Sequence, residues 1–193
     1  MPDADGLLYK HFLGTNDQNS LVALFNKYRD GLILFIYGIV LNLDEAEELM
    51  MDTFAILVSG TAHYKEKDGT SFKTWLYAIA KKQALLYLRK RKIKLVYSDK
   101  DILGNLEADS SCQPVATLLK NESDALLYRA MAMIDAGYRQ ALYLLYFEEM
   151  KPEQISLIIK KNIKQTYNLL ARGKESLRVM YERMGKSCHM LAT

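Results

Sequence analysis

Proline and cysteine are almost missing from this chain. Three prolines and 10 glycines among 193 residues leave too few turn formers for an all-β fold, and they exclude collagen-like and low-complexity architectures. The two cysteines, Cys112 and Cys188, stand in unrelated settings and form no C-x-x-C pair, so neither a disulfide framework nor a zinc knuckle is indicated. The longest apolar run, Leu32 to Leu41, falls well short of the roughly 20 residues that a membrane span needs. The opening MPDADGLLYK lacks the charged-then-apolar order of a secretory signal, which predicts a cytoplasmic protein without membrane insertion. No glycine-rich phosphate loop or nucleophile motif occurs, and His11, His63 and His189 are scattered. The chain is therefore expected to have no catalytic residues, no metal, no cofactor and no small-molecule substrate: it does not read as an enzyme. Glu48 and Asp52, one helical turn apart, would make a metal site only with a third ligand that the sequence does not offer.

What the chain does have is apolar periodicity and an uneven distribution of charge. The net charge of +3 hides an alternation. Residues 1–60 carry 3 basic and 9 acidic side chains, net −6, and residues 61–97 carry 10 and 2, net +8. Residues 98–135 carry 3 and 7, net −4, and residues 136–193 carry 10 and 5, net +5. Two basic blocks separated by an acidic one point to two contacts with a polyanion, most simply nucleic acid.

Apolar spacing of three and four predicts a long helix over 18–41, through Leu21, Leu24, Phe25, Tyr28, Leu32, Phe35, Ile36 and Ile39. Asp44, with Glu47 three residues on, is expected to cap the next helix, which runs to about Val58. That helix buries Ala46, Leu49, Met50, Thr53 and Leu57 and turns Glu45, Glu48 and Asp52 to solvent. After a loop over 59–70, a third helix spans about 71–92 with a core stripe of Phe72, Leu76, Ile79, Gln83 and Leu86. Trp75, the only tryptophan, shares another face with Lys82 and Arg89. Residues 98–118, rich in Asp, Asn, Ser and Gly, read as an acidic flexible linker. Four helices are expected beyond it, with Pro152 in the first turn of a short one ending near Ile159 and Asn162 capping the last. The fold class is all-α, as two small helical domains, 1–97 and 119–193, joined by that linker.

Residues 152–172 suit a helix-turn-helix. Ser156 is the small residue expected at the helix crossing, Ile155, Ile159, Ile163, Thr166 and Leu169 form the apolar set, and Lys164, Gln165, Asn168 and Arg172 face outward on the second helix. Amides at Gln165 and Asn168 suit base edges, and cations at Lys164 and Arg172 suit phosphate. The turn carries Lys160 where glycine is common, which predicts a longer or differently shaped turn. A plain helical hairpin with a solvated face would look much the same over this stretch alone.

Three blocks together carry a resemblance. EAEELMMDTF (45–54), FKTWLYAIAKKQALLYLRKRK (72–92) and YRQALYLLYFEEMKPEQISLIIKKNIKQTYNLLARGKESLR (138–178) are similar, in order and spacing, to bacterial RNA polymerase sigma factors of the extracytoplasmic-function type, in the sigma-70 family. The resemblance implies a factor that binds core RNA polymerase and directs promoter-specific initiation. Glu45, Glu48 and Asp52 would meet basic side chains of the polymerase clamp, with apolar contact from Leu49 and Phe54. Tyr64, Trp75 and Tyr77, with the cations Lys73, Lys81, Lys82, Arg89 and Arg91, would bind and open the minus-ten element, where unpaired bases need a stacking surface. Lys164, Gln165, Asn168, Arg172 and Lys174 would read the minus-thirty-five element. The linker acids Asp99, Asp101, Glu107 and Asp109 would thread toward the polymerase cleft. Core polymerase and promoter DNA are the implied partners, with room for an anti-sigma protein. The family often has Ile-Ala-Arg-Asn where this chain has Ile79-Ala80-Lys81-Lys82, so its minus-ten preference is not carried over. The alternative is a conventional helix-turn-helix regulator with an N-terminal effector or dimerisation domain, which leaves the basic aromatic helix at 72–92 without a role.

Overall fold

The nine residues from Leu32 to Val40 are buried without interruption, so the helix that carries them must be enclosed on every side. In the computed structural model, which describes residues 3–65, 70–97 and 122–190, this is the second of eight helices among the described residues. No strand occurs among them beyond an isolated bridge at Thr70. The helices are α1 (Ala4–Thr15), α2 (Gln18–Val40), α3 (Leu43–Val58), α4 (Phe72–Tyr97), α5 (Glu122–Ala132), α6 (Ala136–Tyr146), α7 (Pro152–Ile159) and α8 (Ile163–Met190). Two compact units, Met1–Ser110 and Ser111–Thr193, divide the chain. The expected linker over 98–118, with its four acids and Cys112, lies outside the described residues, as do residues 66–69 of the expected loop.

In the first unit, α1, α3 and α4 surround α2. Asp17 caps α2 by accepting from the backbone N–H groups of Asn19 and Ser20 at 3.3 and 3.0 Å, and the Ser20 hydroxyl adds a third bond at 2.6 Å. Those bonds, the Ser20 hydroxyl first, hold its carboxyl below the usual carboxylate range. The cap of α3 differs from expectation. Asn42, not Asp44, accepts from the Glu45 N–H at 2.9 Å, because the chain leaves α2 through a left-handed Leu41 and Asn42 is the residue left extended. The core stripe of α4 is also displaced. Phe72, Leu76, Tyr77, Ala80 and Ala84 are buried, Ile79 and Gln83 are half-buried, and Leu86 is exposed. Small Ala80 and Ala84 let α4 lie close to its neighbours, which shifts the buried line off the larger residues.

Helix α1 has no counterpart in the sequence reading. Its buried positions are only Gly6, Tyr9 and Phe12, and two aspartates rather than a long stripe fasten it. Asp5 receives Lys27 at 2.6 Å and the Tyr28 hydroxyl. Asp3 accepts from the Tyr64 hydroxyl at 2.8 Å and from the backbone N–H of Phe72, the first residue of α4. Tyr9 is buried between them, its hydroxyl donating to the Leu57 carbonyl at 3.0 Å, and burial pushes its phenol pKa up.

The second unit packs α5, α6 and α7 against α8. Tyr143 stacks on Phe147 with ring centres 5.2 Å apart, and Tyr128 stands edge-on to both. Helix α7 ends at Lys160, whose φ of 56° and ψ of 48° are left-handed. The turn therefore keeps the glycine-type geometry without glycine, where a longer or differently shaped turn was expected. The close helix approach falls at Gly173, where an added Cβ would lie 3.3 Å from Leu142 and Tyr138 of α6. Ser156, the small residue expected at the separate crossing of α7 and α8, is half-buried and donates to the Glu153 carbonyl at 2.6 Å.

Two stability changes follow from these backbones. Lys160→Gly removes the steric cost of a left-handed residue and is expected to stabilise the second unit by about 1 kcal/mol, read as a raised denaturation midpoint. Gly173→Val forces α6 and α8 apart and should destabilise that unit by about 1–3 kcal/mol in the same measurement.

Candidate polymerase-facing and nucleic-acid interfaces

Helix α3 keeps its apolar side in the bundle and its acids outside, because Ala46, Leu49, Met50, Thr53 and Leu57 recur at helical spacing. Glu47, Glu48 and Asp52 are exposed along one side, with Met51 beside them. Three of the residues assigned to this surface from sequence behave otherwise. Leu49 and Phe54 are buried, with Phe54 edge-on to Phe25 at 5.0 Å, so their apolar contact is spent inside the bundle. Glu45 is half-buried and accepts a hydrogen bond from Tyr87 of α4. Burial first, then that bond, pushes the Tyr87 phenol pKa up. Of the three acids assigned from sequence, Glu48 and Asp52 are thus the exposed ones, with Glu47 beside them.

On α4 the exposed charge is concentrated toward the C-terminal half, at Lys82, Arg89, Lys90, Arg91 and Lys92, while Lys73 and Lys81 are half-buried. The aromatic residues are less available than the sequence suggests. Tyr77 is completely buried, with its ring edge-on to Phe35 at 5.3 Å, and so offers no face to a base. Tyr64 is buried as well, held by Asp3 and packed so close to α1 that a Cβ on Gly6 would lie 2.6 Å from its ring. Trp75 is half-buried, with ring centres 5.5 Å from Tyr9, 5.4 Å from Tyr64 and 5.6 Å from Phe72. It is the partly exposed member of an aromatic cluster whose Tyr9, Tyr64 and Phe72 are buried. Tyr9 and Asp3 support this cluster and were missed from sequence, because their partners lie 48 to 69 residues away and no local spacing signals them.

Helix α8 divides by face. Thr166, Leu170, Gly173 and Leu177 are buried, whereas Lys164, Gln165, Asn168, Arg172 and Lys174 are all exposed, as placed from sequence. Ile163, expected in the apolar set, is exposed. Gln165, Asn168, Leu169 and Arg172 line an open cleft of about 240 Å³ together with Lys161 from the turn and Tyr138 from α6. Farther along α8, Arg178 is paired with Glu175 at 2.7 Å and Glu182 at 3.9 Å, whereas Lys164, Arg172 and Lys174 of the first half are exposed. Among the described residues no group of three or more His, Cys, Asp and Glu side chains is arranged to hold a metal, and no helix is long and apolar enough to cross a membrane.

Comparison with known proteins places this geometry. Residues 24–93, from within α2 into α4, match the family model for sigma-70 region 2. The chain is 25% identical over 160 residues to the ECF RNA polymerase sigma factor SigM of Bacillus subtilis, covering 83% of this chain and 94% of the relative. It is 24% identical over 171 residues to the ECF RNA polymerase sigma factor SigW of the same organism, covering 84% and 89%. Among solved structures, CnrH in complex with the cytosolic domain of CnrY shares the fold with a TM-score of 0.63 at 14% identity, covering 94% of this chain and 99% of that one. The sigma factor RpoE from Bartonella quintana, crystallised with the anti-sigma factor NepR, gives 0.61 at 18%, covering 86% and 97%. A match to sigma-70 region 2 on α2 to α4, in a chain that aligns over most of its length with such factors, makes this protein similar to sigma factors of the extracytoplasmic-function type in the sigma-70 family.

Proposed function

We propose that this sigma factor joins core RNA polymerase through the exposed acids of α3, opens the minus-ten element at the aromatic rim and basic edge of α4, and reads the minus-thirty-five element through α8. Directing transcription initiation is the activity of the family. The observation that carries the division of labour is the sorting of charge on the first unit. Glu48 and Asp52 stand exposed on α3, while Lys82, Arg89 and Arg91 stand exposed on α4. A surface that must meet a protein and DNA together benefits from separating the two signs, since each attracts one partner and repels the other. Trp75, at the rim of the cluster, is the ring best placed to stack on an unpaired base, with the exposed Lys82 and Arg89 seven and fourteen residues farther along the same side of the helix. The buried Tyr64 packs against that ring. The linker would cross between the two promoter contacts, and its roughly 65 Å extended reach suits elements about 70 Å apart. A cytoplasmic location and a role without catalysis accord with this reading. The regulator alternative gives way, because residues 24–93 match a sigma domain where an effector domain would stand.

Run-off transcription with core polymerase and fragmented genomic DNA tests the whole: initiation at a defined set of sites is expected only when the chain is added. Reversing charge at Glu48 and Asp52 together should weaken association with core polymerase about tenfold at low salt, with the loss shrinking as salt rises and the helical content unchanged. Unchanged co-purification would remove α3 from the interface.

Trp75→Ala should lower the permanganate reactivity of promoter thymines far more than closed-complex binding, because stacking is gained only once bases unpair. Trp75→Phe, which keeps most of the packing against Tyr9 and Phe72, should lie between. Equal loss of both steps, with a lowered melting temperature, would mark Trp75 as a packing residue alone.

A further inference from the structure

Gln165 is the third residue of α8, and its amide is already engaged. Its Oε1 accepts from the backbone N–H of Asn162 at 3.1 Å, and Asn162 Oδ1 accepts from the N–H of Gln165 at 2.8 Å. Two of the donors left over at the helix start are satisfied by this reciprocal pair. The preceding helix uses half of the same device, with Gln154 Oε1 accepting from the Lys151 N–H at 3.0 Å at the start of α7. A glutamine that reads adenine must extend its amide away from the helix, setting Oε1 on the N6 amino group and Nε2 on N7. Folded back onto Asn162, the Gln165 amide does not point that way.

The cleft offers a different reader. Lys161, Gln165, Asn168 and Arg172 follow one another at intervals of four, three and four along one face. Among the described residues, none bonds or pairs with the side chains of Lys161, Asn168 or Arg172. Asn168 is thus the free amide, one turn deeper than the cap and flanked by two cations. The phase of the helix matters to it, since starting α8 one residue early or late would swing every side chain by about 100°. The cap sets that phase, next to a turn already held left-handed at Lys160.

We infer that Gln165 is a positioning residue that locks the start and rotation of α8, and that Asn168 is the base-reading amide of this face, with Lys161 and Arg172 on the flanking phosphates. The inference rests on the assignment of α8 to the minus-thirty-five element. It differs from the sequence reading, in which Gln165 and Asn168 share the bases and Lys161 has no part.

The test is a selection of randomised minus-thirty-five elements by the holoenzyme, made with the wild-type chain and with Gln165→Ala, Gln165→Glu, Asn168→Ala and Arg172→Ala. Glutamate retains the capping acceptor and has no amide donor, so it separates capping from reading. Wild type, Gln165→Ala and Gln165→Glu are expected to enrich the same bases. Gln165→Ala should bind every selected element about threefold to tenfold more weakly, as loss of a cap makes the docked helix less populated. Its melting temperature should fall, and that of Gln165→Glu should not. Asn168→Ala should lose preference at one or two positions. A changed preference in both Gln165 variants with none in Asn168→Ala would overturn the inference while leaving α8 as the reader. An unaltered melting temperature and affinity in Gln165→Ala would overturn the positioning role. If neither Asn168→Ala nor Arg172→Ala changes selection or affinity, α8 does not face the element, and both readings fall together.

Discussion

The enclosure of the second half of α2 is the constraint on which the first unit depends. A helix buried on every side from Leu32 to Val40 needs apolar partners all round, and α1, α3 and α4 supply them. Each of the three can spare only one face for this purpose, so whatever charge it carries is driven to the opposite side. The acids of α3 and the cations of α4 are exposed for the same reason, although their signs suit different partners. The core thus dictates where charge can appear, and the sequence decides which sign appears there.

A second consequence is that polar groups do the joining where apolar area runs out. Helix α1 is too weakly amphipathic to hold itself in place by burial. Asp3 and Asp5 tie it instead to residues far away in the chain, and the Tyr9 hydroxyl closes the carbonyl end of α3. Such bonds between distant segments are worth more here than at a fully hydrated surface, because several of their atoms lie under the aromatic cluster.

The limits of sequence reading follow from the same physics. Helices α2, α3, α7 and the start of α8 were legible because their apolar spacing is regular and, for the last two, their punctuation (Pro152, Asn162) is local. The shift of the α4 stripe was not, since it depends on Ala80 and Ala84 permitting close approach, and alanine carries little weight in an apolar pattern. Helix α1 was not, because its anchors are long-range. Among the site residues, side chains whose exposure follows from periodicity alone, such as Glu48, Asp52, Lys82, Asn168 and Arg172, were placed correctly on the surface. Those whose environment depends on a neighbouring helix, such as Glu45 under Tyr87 or Tyr77 against Phe35, were not. Gln165 is a third case: its exposure was foreseen and its hydrogen bonds were not, since both a cap and a base edge call for the same amide.

The placement of α1 bears on where the family domain can be cut. The match to sigma-70 region 2 starts at residue 24, inside α2 and beyond α1. A fragment trimmed to that boundary would lose the Asp3 carboxylate that meets the first N–H of α4 and the Tyr9 ring that lies against Trp75. Phe72 and Tyr64 would become the wall of an open apolar trough, and the Leu57 carbonyl of α3 would lose the Tyr9 hydroxyl. The unit that folds is therefore longer than the unit recognised by similarity, and its extra length is the part that shields the aromatic cluster.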